Sequence, residues 1–203
     1  MAVQLIATNR TVFDPRLPNK DQLGVAATLR FGRFDFDPED DGETDVFTPF
    51  PEGNSSYSDC LRLSKESING YARFFRELYD LTQASGKEIL LFIHGYRHPV
   101  DRLQRTIRRL QKFYVNDKKC NIDHIVMLSW PSTEETGEYT EDRQRAKETG
   151  KVAFREFLEE WRNFLQQAFD TKKDAVSFAA KFNVAAASMG NRLLQETADY
   201  LQH

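Results

Sequence analysis

The sequence predicts an α/β fold, with a mostly parallel sheet and helices on both of its faces. Three apolar runs of strand length carry that reading: residues 88–94, 124–130 and 182–187. Continuous apolar runs of this kind suit parallel strands covered on both faces. Helical periodicities separate the runs, and strand, helix, strand, helix in alternation implies a parallel sheet with right-handed crossovers. At 203 residues the chain is long enough for one full-sized core, so residues 1–203 are read as a single domain.

Taken in order, residues 3–8 and 25–31 are β-rich runs and read as two opening strands, with Asp14-Pro15 and Leu17-Pro18-Asn19 as turn residues between them. Residues 35–45 carry Asp35, Asp37, Glu39, Asp40, Asp41, Glu43 and Asp45, with Pro38 and Gly42 among them. A calcium loop is the sharp reading. The spacing lacks the alternating ligands and terminal glutamate of an EF-hand, so a solvated surface loop is the better one. Residues 47–59, rich in Pro, Gly and Ser, read as loop.

Ser64 is placed as the cap of a helix whose apolar positions Ile68, Tyr71, Phe75, Leu78 and Leu81 recur at three and four, ending near Gly86. After the 88–94 strand, residues 99–115 form a helix that buries Val100, Leu103, Ile107, Leu110 and Tyr114. Its other positions include Arg102, Arg105, Arg108, Arg109 and Lys112, which read as a solvated basic face. Pro131 closes the 124–130 strand and residues 132–139 are turn-like. A long amphipathic helix follows over 143–169, with Phe154, Phe157, Leu158, Trp161, Phe164, Leu165 and Ala168 on one face as core. Residues 171–177 lead back to the last strand, and a final helix runs from Gly190 to the end.

Composition excludes several classes. Hydrophobic residues at 40%, charged residues at 29% and a net charge of -3 give no overall pull toward nucleic acid or a membrane surface. Cys60 and Cys120 are too few and too far apart for a disulfide framework or zinc set. The N-terminus lacks the basic and long apolar regions of a signal peptide, and no stretch reaches the roughly 18 apolar residues of a membrane span, so a cytoplasmic location is expected. No G-x-G-x-x-G or G-x-x-x-x-G-K-[ST] is present, and no cofactor or metal is expected.

The chemistry concentrates in residues 182–192, where an apolar strand meets Ser188 and turns at once into a helix. Ala186 and Gly190, two before and two after the serine, are small enough for a tight turn that brings side chains against neighbouring backbone. The helix N-terminus then faces Ser188 with free N–H groups, which suits negative charge developing on an attacked carbonyl oxygen. Alone the pattern is weak, since a small-x-Ser-x-small match arises by chance in about one chain in three of this length. A serine capping a helix after a buried strand is the bland alternative.

Several ordered motifs agree with the sharper reading: Ala7-Thr8-Asn9-Arg10, Leu91-Phe92-Ile93-His94-Gly95-Tyr96, Ser129-Trp130-Pro131-Ser132, then Tyr139, Asp142 and Ala146, then Ser188-Met189-Gly190-Asn191-Arg192. Together they resemble a bacterial, mostly uncharacterised branch of the α/β-hydrolase superfamily over nearly the whole chain. The resemblance implies that Ser188 is the nucleophile of an elbow, with the backbone N–H groups of Met189 and Tyr96 as oxyanion donors. It implies a small-molecule ester, thioester or amide substrate, cleaved by acyl transfer.

Two departures stand out. Ala187 takes a position that is commonly His in such elbows. More seriously, this fold supplies its acid and histidine after the nucleophile. The sequence has only His203 there, 15 residues on, which is about 22 Å along a helix and out of reach. His124 is expected at the far end of its strand, His94 in the core or shaping the oxyanion loop, and His98 near the right edge as a substitute base. The expectation is therefore a hydrolase truncated after the nucleophile helix, with residues 182–187 at the sheet edge and little or no activity. The alternative is a non-catalytic binding or scaffold protein, with the basic helix as its contact surface.

Overall fold

A computed structural model describes residues 2–11, 19–36, 46–53 and 55–201. The turn residues Asp14, Pro15, Leu17 and Pro18, nearly all of the acidic stretch, and His203 lie outside the described residues. Six strands form one sheet: β1 (Ala2–Arg10), β2 (Val25–Phe36), β3 (Val46–Pro49), β4 (Glu88–Ile93), β5 (Ile122–Ser129) and β6 (Phe182–Ala186). Their order is β3-β2-β1-β5-β4-β6. The pairs β1/β5, β5/β4 and β4/β6 are parallel, whereas β1/β2 and β2/β3 are antiparallel. The mostly parallel α/β architecture is thus present, with an antiparallel meander at one side.

Helices cover both faces unequally. On one face, Ile89, Leu91 and Ile93 of β4 and Val126 and Leu128 of β5 pack with α1 (Gly70–Ser85), α4 (Arg155–Gln167), α5 (Lys172–Ala179) and α6 (Gly190–Leu201) through Phe74, Phe75, Phe157, Phe164, Phe178 and Leu193. On the other, Ile6 and Met127 meet Val100, Leu103 and Ile107 of α2 (Val100–Leu110). The large face is aromatic: the Phe75 ring lies 5.1 Å from Phe164 and 5.3 Å from Trp161, at tilted and edge-on angles that aromatic quadrupoles favour.

Four local expectations are corrected. Part of the 47–59 loop is β3, because Gly32 of β2 leaves room that Phe47 fills; a Cβ on Gly32 would lie 2.4 Å from the Phe47 ring. Ser64 precedes only a short 3-10 turn, Lys65–Ser67, and α1 starts at Gly70 after Asn69. Residues 171–177 belong largely to α5, not to a run into the strand: the Thr171 hydroxyl accepts the Asp174 N–H at 3.1 Å and caps that helix. The long helix begins at Tyr139 (α3, Tyr139–Thr149) and reaches α4 through a π-helical turn, Gly150–Phe154. A second π turn, Gln111–Val115, ends α2.

Candidate active site

Because β1, β5, β4 and β6 run parallel, their C-terminal ends share one edge, and the sequence motifs meet there. Ser188 follows β6 directly, is exposed, and has φ 48°. Among the described residues only one other non-glycine has positive φ: Arg97, at 55°, in the loop after the neighbouring strand β4. A left-handed backbone costs an ordinary residue roughly 1–2 kcal/mol, and such strain concentrates at functional sites. Downstream, the Ser188 carbonyl accepts the Asn191 N–H at 3.0 Å and the Asn191 side-chain amide at 3.1 Å, which anchors the turn to the start of α6.

The small residues are explained by how closely this turn approaches the end of β4. The Ala187 N–H donates to the Ile93 carbonyl at 3.0 Å. A Cβ on Gly190 would lie 2.8 Å from both the Ile93 and His94 carbonyl oxygens. One on Gly95 would lie 2.9 Å from the Ser188 Cβ and from the Ala187 carbonyl oxygen. Gly95 is therefore packed directly against Ser188. Among the described residues, the N–H groups of Met189 and Tyr96 donate no hydrogen bond.

His94 sets the loop that carries Tyr96. Its ring is fully buried and stacks on the rings of Trp130 (5.2 Å) and His98 (4.9 Å). The Trp130 N–H donates to His94 Nε2 at 3.1 Å, so Nδ1 carries the proton and donates to the Gly95 carbonyl at 2.9 Å. Trp130 Nε1 also donates to the His94 carbonyl at 2.8 Å. Burial first, then the charges of His98 and Arg10, holds the His94 pKa well below the usual histidine value, so the ring is neutral. Pinning the Gly95 carbonyl fixes the plane of the next peptide, whose N–H, that of Tyr96, points the opposite way across a trans bond. The Tyr96 hydroxyl donates to the carbonyls of Glu135 (2.9 Å) and Thr136 (3.0 Å), and its ring meets Tyr139 edge-on at 5.3 Å.

Beneath these loops lies a polar layer. Arg10 is fully buried at the end of β1 and donates to Ser129 Oγ (3.1 Å), the Gln22 carbonyl (3.2 Å) and the His98 carbonyl (3.2 Å). Burial drives its guanidinium down to about 9, against the pull of Asp142, so it stays charged at neutral pH. Asp142, also fully buried, accepts from Ser132 Oγ (2.7 Å), the Thr133 N–H (3.0 Å) and Arg145 (2.6 Å). Asn9 donates to Thr149 Oγ1 at 2.9 Å, and Thr197 of α6 donates to the Gly150 carbonyl at 2.9 Å. The π turn at Gly150 thereby holds α6, whose approach is close enough that a Cβ on Gly150 would meet the Leu193 carbonyl at 2.4 Å. The roles of Gly95, Thr149 and Gly150 are visible only in these contacts.

The remaining histidines stand elsewhere. His98 Nε2 lies 2.7 Å from Thr106 Oγ1, on α2. His124 sits near the start of β5, away from the Ser188 edge, with Nε2 3.4 Å from Asp123. Among the described residues none of these histidines is hydrogen-bonded to Ser188, and no group of three His, Cys, Asp or Glu side chains could hold a metal ion. No helix among them is long and apolar enough to cross a membrane.

No curated protein and no solved structure matches the chain. One family model does, described as an alpha/beta hydrolase of unknown function (DUF900), and it matches residues 75–202. That span takes in β4, β5, β6 and the loops that meet at Ser188. The chain belongs to this alpha/beta hydrolase family.

Proposed function

We propose that the chain is a serine hydrolase that attacks an ester, thioester or amide carbonyl through Ser188. One observation carries the reading: Ser188 stands in a left-handed turn between a parallel strand and a helix N-terminus, with Gly95 packed against it. A nucleophile elbow has this form, and undonated N–H groups at Met189 and Tyr96 suit an oxyanion. In the acyl-transfer step the Ser188 oxygen bonds to the carbonyl carbon, its proton passes to a base, and the alcohol, thiol or amine departs with a proton. His94 acts as a positioning residue for Tyr96. His98 is the substitute base, and to serve it must exchange its bond to Thr106.

A second reading, a non-catalytic binding protein, is favoured by the lack of a histidine hydrogen-bonded to Ser188 among the described residues. A serine without a base is a weak nucleophile near neutral pH. The 203-residue chain is accordingly expected to react slowly. Prolonged incubation with a fluorophosphonate, read by intact mass and peptide mapping, should give a slow adduct on Ser188 that Ser188→Ala removes. No adduct, or one that survives in Ser188→Ala, would favour the binding protein. Loss of the adduct in His98→Ala would assign the base.

A further inference from the structure

The basic helix is not used by the Ser188 chemistry. Its apolar positions Val100, Leu103 and Ile107 are buried against the sheet, which orients the rest of α2 outward. Arg102, Arg105, Arg109 and Lys112 are all exposed. At 100° per residue they fall, with Phe113, within an arc of roughly 100° on one side of the helix. The row is about 15 Å long at 1.5 Å per residue. At its end, in the π turn, Phe113 is 65% exposed and Tyr114 41%, although both are large rings. Lys118 and Lys119 follow, also exposed. The only acid between Val100 and Val115 is Asp101, while the whole chain carries a net charge of -3, so this face opposes the charge of the rest of the molecule.

We propose that this face docks the protein on an anionic lipid surface. A straight cationic row suits a flat array of negative headgroups, all of which it can meet at once, and each Lys or Arg near such a surface contributes about 1 kcal/mol. The exposed Phe113 ring at the end of the row can enter the headgroup region, as aromatic side chains do at membrane interfaces. A nucleic-acid ligand would use the cations but gives the adjoining Phe113 ring no role without unstacked bases. The contact is peripheral and needs no spanning segment.

Co-sedimentation of the intact chain with vesicles tests this. Vesicles of phosphatidylcholine containing 30 mol% phosphatidylserine should retain the protein at low salt, pure phosphatidylcholine should not, and raising the salt should release it. Arg109→Gln with Lys112→Gln should weaken binding about 25-fold, roughly five-fold for each cation removed. Phe113→Ser should weaken binding further at high salt than at low salt. Equal retention by both vesicle types, no retention by the anionic ones, or full binding by the double variant would overturn the proposal. So would tighter binding, at matched salt, to a single-stranded oligonucleotide. Fluorophosphonate labelling of Ser188 should be unchanged in these variants, so this experiment and the hydrolase reading succeed or fail separately.

Discussion

Gly190→Ala is the sharpest test of how the turn at Ser188 is held. The added methyl would lie 2.8 Å from two backbone carbonyl oxygens, those of Ile93 and His94, and 3.1 Å from Ile93 Cγ2. Backbone oxygens at the end of a central strand cannot rotate away as a side chain can, so either β4 or the start of α6 must shift. Overpacking of this kind costs about 1–3 kcal/mol. The gain in helix propensity from Gly to Ala is at most about 1 kcal/mol and smaller in a first turn, so the clash wins. For a chain of this size the net loss, roughly 0.5–2.5 kcal/mol, corresponds to a fall in Tm of about 1–10 °C. Gly137→Ala is the control, since nothing lies within 4 Å of a Cβ there. Thermal melts of the two variants beside wild type, with urea midpoints as a second measure, provide the assay. If Gly190→Ala melts with wild type while Gly137→Ala also does, the turn is not packed against β4 as described. Fluorophosphonate labelling should fall in Gly190→Ala alone, because the shift moves Ser188 relative to Gly95.

Other perturbations follow from the same contacts. Ser188→Gly should raise stability by about 0.5–1 kcal/mol, because relief of the φ 48° strain exceeds the entropy cost of glycine; a lower urea midpoint would contradict the strain. Asp142→Ala should cost about 1–3 kcal/mol, since it leaves the buried Thr133 N–H without its acceptor and removes the carboxylate that Arg145 and Ser132 donate to, and a urea titration showing under about 0.5 kcal/mol would refute that. His94 titrates below the usual histidine value when folded, so the unfolded chain binds the proton first as the pH drops. Its contribution is therefore intact above about pH 6.5 and lost below, at up to about 1.4 kcal/mol per pH unit. His124 is shifted in the same direction and adds to the slope. Urea midpoints between pH 7.5 and 5 should fall more steeply in wild type than in His94→Gln. Thr197→Val should cost about 1 kcal/mol and speed amide exchange at the start of α6, because it releases the Gly150 carbonyl.

Periodicity alone was enough to locate β4, β5, β6 and the apolar faces of α1 and α4, because side chains covered on one or both faces must repeat with the geometry of the element; on α2 it located Val100, Leu103 and Ile107 but wrongly buried Tyr114, which the π turn at Gln111–Val115 leaves exposed. It could not locate β3, whose Phe47 is held by a gap over Gly32 on a distant strand, nor the gap itself. α5 was within reach, since Thr171 and Asp174 make a capping pattern, but eight residues with few buried positions gave the apolar period little to show. At the site, the residue types around Ser188 were readable because a tight turn demands small neighbours. What only the tertiary structure decided is why they must be small: Gly95 and Gly190 follow strands adjacent in the sheet but nearly a hundred residues apart in the chain, and a methyl on Gly95 would meet Ala187 and Ser188 while one on Gly190 would meet the Ile93 and His94 carbonyls. The fate of the histidines was decided in the same way. A sequence lists four of them with equal standing, whereas burial against Trp130 makes His94 a fixed neutral donor, and a hydroxyl on α2 engages His98. Protonation and orientation depend on neighbours brought together from several strands, and no local pattern encodes them.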